Sequence, residues 1–139
     1  MSAKIKVLID IDVLLDVLQR REPFYTMSAH ALACAETGQI ESWVAAHSIT
    51  TLYYLYAKYQ SAEQARIRLS DLLSFLSVAA VDRVVIEHAL TLPYRDFEDA
   101  VQMAAAIQIN ALYVITRNIS DYKEGPLPAI EPAELLALV

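Results

Sequence analysis

Short apolar runs rich in β-branched residues alternate along this chain with stretches of helical period. That alternation is what most restricts the fold. Residues 4 to 10, KIKVLID, read as a buried strand, and VLLDVLQRR then continues as a helix. A second helix over 24–37 follows Pro23, with Gly38 as its stop. IESWVA, 40 to 45, is the second strand. A helix runs from Ser48 with Ile49, Leu52, Tyr53 and Tyr56 on one face, and another starts near Ser61. VAAV, 78 to 81, is a third strand, a helix covers 83–91, and a further helix starts near Asp96. ALYVIT, 111 to 116, is the fourth strand, before a short strand or extended piece and a closing helix from Pro132. Strands alternating with helices predict an α/β domain, a short parallel sheet flanked by helices on both faces.

Composition narrows the function. The chain has 139 residues, enough for one domain spanning 1–139 with its own core. Only two glycines occur, which argues against a turn-rich all-β fold. No apolar run reaches the roughly 18 residues that would suggest a membrane span. The start, MSAKIKVLID, has no signal-peptide pattern and reads as the first strand of a cytoplasmic protein. Cys34, the single cysteine, reads as a small buried helix residue. A formal charge of −6 argues against holding nucleic acid by backbone charge alone.

The acids are placed selectively. In such a sheet, ligands bind beyond the carboxyl ends of the strands. Asp10 and Asp12 end the first strand, His47 and Ser48 follow the second, and Thr116, Arg117, Asn118 and Asp121 follow the fourth. The helix near Asp96 leads back into the fourth strand, so its N-terminus starts at the same edge. RDFEDAVQ, 95 to 102, crowds Asp96, Glu98 and Asp99 there. Asp96 can serve as an N-cap and Asp99 can favour the positive helix end, while Asp99 also looks inward, toward Met103 and Ala106. Asp10 follows an apolar run and has no ready structural use, because Asp12 is the more natural cap for the next helix. Asp16 reads as solvated or salt-bridged. TRNISDY reads equally as a cap or turn and as a functional loop. The three histidines have no metal-ligand spacing, and no phosphate loop or nucleophile elbow occurs. An all-oxygen acidic cluster suits Mg²⁺ or Mn²⁺, which can activate water against a phosphodiester. A phosphatase using Asp10 as nucleophile and Asp12 as acid fits the DxD but lacks the lysine context.

VLIDIDVLLD, DFEDAVQMAAA and YVITRNISDY, in that order, resemble the PIN domain, and within it the VapC-type ribonucleases of bacterial toxin–antitoxin pairs. The resemblance spans nearly the whole chain. It implies a Mg²⁺- or Mn²⁺-dependent endoribonuclease with RNA as substrate, a homodimer, and a small antitoxin that blocks the site. The family's first acid maps to Asp10 and its helix acid to Asp99, with Asp96 nearby. Its last acidic position falls on Asn118 or Asp121, with Asp121 favoured because it carries charge. On this reading Asp10, Asp99 and Asp121 are catalytic and, with Asp96, hold the metal. Asp12, Thr116, Arg117 and Asn118 position substrate or water, with Arg117 open to a phosphate contact or a surface salt bridge. Two departures stand out. Asp12 replaces the family's usual Asn, and the helix after the second strand, HSITTLYYLYAK, lacks the usual Glu. Thr51 lies near that place, and Thr50 or Thr51 could hold a water there. The missing acid keeps open a non-catalytic PIN-like module that binds RNA or protein.

Overall fold

The computed structural model describes residues 4–123 and 125–139. Five strands, β1 (Ile5–Ile9), β2 (Ile40–Ala45), β3 (Ser77–Ala79), β4 (Tyr113–Ile115) and β5 (Ala129–Ile130), form one sheet in the order β3-β2-β1-β4-β5. Every pairing is parallel. Helices α1 (Ile11–Leu18), α2 (Tyr25–Glu36), α3 (Ala46–Tyr59) and α4 (Ala62–Leu73) occupy the first half. Helices α5 (Arg83–Ala89), α6 (Phe97–Gln108) and α7 (Pro132–Leu136) follow, with a 3-10 turn at Ile119–Tyr122.

Successive strand side chains point to opposite faces, so each face of the sheet carries its own core. On one face Val7 and Ile9 of β1 pack with Val13, Leu14, Leu32, Leu52 and Leu135 from α1, α2, α3 and α7. On the other, Leu8 and Val114 pack with Val85 of α5 and with Val101, Met103 and the alanine run of α6. Small alanines let α6 lie close to the sheet, and Ala104, Ala105 and Ala106 are essentially fully buried. Local signals set the helix ends. Ser61 and Asp82 accept from the backbone N–H of Gln64 and Val85, and Gly38 takes φ 79° just beyond α2, a conformation that favours glycine.

Several boundaries differ from the sequence expectation. The first helix starts at Ile11 rather than Val13, so Asp10, not Asp12, takes the N-cap position. Helix α3 starts at Ala46 rather than Ser48. The third strand is Ser77–Ala79 rather than 78–81, and the fourth is Tyr113–Ile115 rather than 111–116. In each strand, pairing with a neighbour decides the limits. Val81 and Ala111 are apolar, but they fall outside the β2–β3 and β1–β4 registers.

This topology fixes one edge as special. From β1 the chain steps to β2 and β3 on one side, then crosses to β4 on the other. The carboxyl ends of β1 and β4 flank that change of direction, where α/β sheets open a crevice.

Candidate active site

Asp10 leaves β1 with φ −70° and ψ 147°, and its carboxylate does not cap α1. It turns toward β4 instead, accepting a 2.9 Å hydrogen bond from the Thr116 hydroxyl. That hydroxyl also lies 3.4 Å from Asp12 Oδ2, which accepts from the Arg117 backbone N–H at 3.4 Å and the Asn118 amide at 2.9 Å. The Asn118 backbone N–H in turn donates to Thr116 Oγ1 at 3.0 Å. The loop after β4 is therefore built as a donor set for the two acids after β1. Asp12 Oδ1 is buried with no partner.

Asp96 answers the capping question raised by RDFEDAVQ. Its Oδ1 accepts from the Glu98 and Asp99 backbone N–H groups at 2.8 and 3.3 Å. Asp99, half-buried, uses its carboxylate elsewhere, accepting from the buried Tyr122 hydroxyl at 3.0 Å. Tyr122 accepts from the buried Gln102 amide at 2.7 Å. A cleft of about 570 Å³ opens beside this chain, lined by Tyr94, Arg95, Asp96, Asp99, Asp121 and Lys123, among others. Asp121 is exposed on its wall, whereas Asn118 is bonded into the acid pair.

These acids share one electrostatic problem. Burial is the main cause that holds Asp10 above the ordinary carboxylate range, against the opposing bond from Thr116. Burial, then the charge of Asp10, pushes Asp12 up to about 7, with the Arg117 charge opposing. Burial raises Asp99 to about 6, the Tyr122 bond opposes, and the charges of Asp96, Asp121 and Asp10 add to the rise. Burial, then the charges of Asp10 and Asp99, keep the Tyr122 hydroxyl protonated. A dry cluster of like charges gains from a proton or from a cation.

The remaining predicted residues are placed differently. Thr51 lies one turn beyond His47 on α3, and α3 carries no acid. Thr50 is exposed and its hydroxyl donates to the His47 carbonyl at 3.4 Å. Of the two roles open to Arg117, the structure shows an ion pair, and its partner is buried. Asp16 is fully buried rather than solvated, and its Oδ2 lies 2.7 Å from Arg117 Nε. Two residues are not singled out in the sequence, Gln102 and Tyr122, while Asp16 and His47 are named there without a role at the site. Gln102 had a signal, an amide inside an apolar helix face. His47 lies 3.3 Å from the Glu98 carbonyl, tying α3 to α6, and burial lowers its pKa toward the neutral imidazole.

The donor set for a metal is all oxygen. Among the described residues, no three His, Cys, Asp or Glu side chains already stand together as ligands of one ion. Mg²⁺ does not need three, since it keeps several waters and uses one or two carboxylates plus substrate phosphate. The orphaned Asp12 Oδ1 and the raised acids fit such an ion.

The crevice at the switch of β1 and β4, with acids from β1 and α6, coincides with a family match. The model of the PIN domain matches residues 6–120. The chain belongs to the PIN-domain family. No match was found among curated protein sequences. Among solved structures this PIN domain is similar to VapBC2 from Rickettsia felis bound to a promoter DNA fragment (17% identity, TM-score 0.69, 91% of this chain and 98% of that one). It is also similar to a toxin–antitoxin complex from Klebsiella pneumoniae (21%, 0.67, 86% and 92%). A third is the Mycobacterium tuberculosis toxin VapC20, described as cleaving the sarcin–ricin loop (12%, 0.63, 78% and 86%). At these identities the likeness is one of fold. Among the described residues no helix is long and apolar enough to cross a membrane.

Proposed function

We propose that this PIN domain is an endoribonuclease that uses Mg²⁺ or Mn²⁺ and acts in the cytoplasm as the toxin of a type II toxin–antitoxin pair. The observation that carries this reading is the group Asp10, Asp12 and Asp99. They come from two distant segments, and all three are held above the ordinary carboxylate range by burial. Asp10 and Asp99 would hold the ion, with Asp12, and Asp96 and Asp121 on the cleft wall, completing its shell through water. When bound, the ion activates water and offsets charge on the phosphodiester. The chain's own groups orient the acids: Thr116 holds Asp10, Asn118 holds Asp12, and Tyr122 holds Asp99. Arg95 and Lys123, on the cleft wall, attract the RNA backbone into an otherwise acidic crevice. Thr51 stands on the helix that lacks the acid and would hold a water in its place. The VapBC- and toxin-type neighbours support a small antitoxin as partner, and the homodimer that the family resemblance implies would be the working form.

A second reading, a PIN module that binds without cleaving, is favoured by the acid-free α3 and by the lack of a ready three-ligand group among the described residues. RNA cleavage with Mn²⁺ separates the two. Cleavage should be abolished in Asp99→Asn while the fold persists. Asp96→Asn should retain its cap, since Asn caps about as well as Asp, so any activity it loses reports lost charge at the site. Undiminished cleavage by Asp99→Asn would remove the central residue of the nuclease reading. A parent that binds RNA but never cleaves would favour the module.

A further inference from the structure

Asp16 is fully buried, and nothing in the proposed chemistry uses it. It sits on α1 one turn beyond Asp12. Its Oδ2 lies 2.7 Å from Arg117 Nε and accepts a 3.2 Å hydrogen bond from the Ser28 hydroxyl of α2. Its Oδ1 has no hydrogen-bond partner, and Arg21 Nη1 stands 4.0 Å away. The Arg117 Nε–H does not align on the carboxylate, so charge rather than a linear hydrogen bond joins the pair. The guanidinium also stacks 4.0 Å above the Phe24 ring. Arg117 is thus held from α1 and from Phe24, the residue just before α2.

Arg117 sits at the centre of the donor loop. The residue before it bonds Asp10, its own backbone N–H faces Asp12, and the residue after it bonds Asp12 through its side chain. We infer that Asp16 is a positioning residue. By fixing the Arg117 side chain it sets the Thr116–Asn118 segment so that its donors meet Asp10 and Asp12. The inference rests on the nuclease reading for its consequence, since orienting these acids matters for the ion they would hold. Partners that orient metal-binding side chains typically change metal affinity about ten- to a hundredfold when removed. A residue serving only the core would lower stability and leave affinity unchanged.

The test compares the parent with Asp16→Asn, nearly equal in shape but unable to pair with Arg117. Two quantities are measured on folded protein: the affinity for Mn²⁺ and the NMR resonances of the Asn118 side-chain amide, which donates to Asp12. The expected result is Mn²⁺ binding weakened at least tenfold, with the Asn118 amide shifted toward solvent-exposed values. Unchanged affinity and an unmoved amide in folded Asp16→Asn overturn the inference. If Asp16→Asn does not fold, Arg117→Gln decides by the same two readouts, because it removes the charge that Asp16 pairs with. A parent that binds no Mn²⁺ defeats the metal reading instead, and the Asn118 amide alone then decides the role of Asp16. Asp16→Glu should restore part of the affinity if the charge is what positions the loop.

Discussion

Replacing Asp12 by Asn should make the metal-free protein more stable at pH 8. Asp12 rises from 3.8 to about 7, chiefly through burial and then through the charge of Asp10. Each tenfold change in proton affinity is worth about 1.4 kcal/mol, so ionising Asp12 in the folded state costs about 4 kcal/mol at pH 8. Asn removes that cost. Its side-chain oxygen can still accept from the Asn118 amide and the Arg117 N–H, which now meet Asp12 Oδ2. Its NH₂ replaces Oδ1, which already lacks a partner, and a buried unpaired donor costs about 2 kcal/mol. The net gain is about 2 kcal/mol, on the order of 7 °C in melting temperature for a domain of this size. The sign with pH follows from the direction of the shift. An acid raised in the folded state contributes stability that is fully present below 3.8 and is lost as pH rises through about 7. The advantage of Asn should therefore shrink on acidification, and at pH 4.5 the two proteins should lie within about 1 kcal/mol of each other. Urea or thermal unfolding at both pH values, with chelator present, gives the comparison. Added Mn²⁺ at pH 8 should then stabilise the parent more than Asp12→Asn, because the ion takes over the charge compensation. A stability difference that does not change between pH 4.5 and 8 would refute the desolvation reasoning.

Other outcomes follow from single contacts. Tyr122→Phe removes the hydroxyl between Gln102 and Asp99, leaving a buried amide unpaired, so stability should fall by about 1–3 kcal/mol. Because the Tyr122 bond opposes the rise of Asp99, its carboxyl should then titrate above about 6, readable by carboxyl NMR. Gly125→Ala places a Cβ onto the Tyr94 hydroxyl, 2.8 Å from its Cζ and 3.0 Å from Met103 Cε. Tyr94 must swing out, at about 1–3 kcal/mol, and adding Tyr94→Ala should recover part of the loss in a thermal melt.

Much of the architecture is written locally. Strand-forming runs alternate with helical periods, so the sequence alone specifies a parallel α/β domain, and Asp96 reads as the N-cap it is. The convergence of Asp10, Asp12, Asp99 and the Thr116–Asn118 loop also follows, because strand ends in a parallel sheet share one edge. Which oxygen serves which donor does not follow. Asp10 and Asp12 are alike as sequence, and the N-cap position falls to Asp10 although its carboxylate faces a threonine 106 residues away. Asp16 reads in the sequence as a solvated or salt-bridged helix acid, and only the packing of α2 and Arg117 over it shows a buried ion pair. Gln102 and Tyr122 become partners only when α6 packs beside the 3-10 turn. Helix period and strand alternation are set by neighbours a few residues apart, so they can be read along the chain. Burial of a charge and the direction of a hydrogen bond are set by residues distant in sequence, and only the packed tertiary structure brings those together.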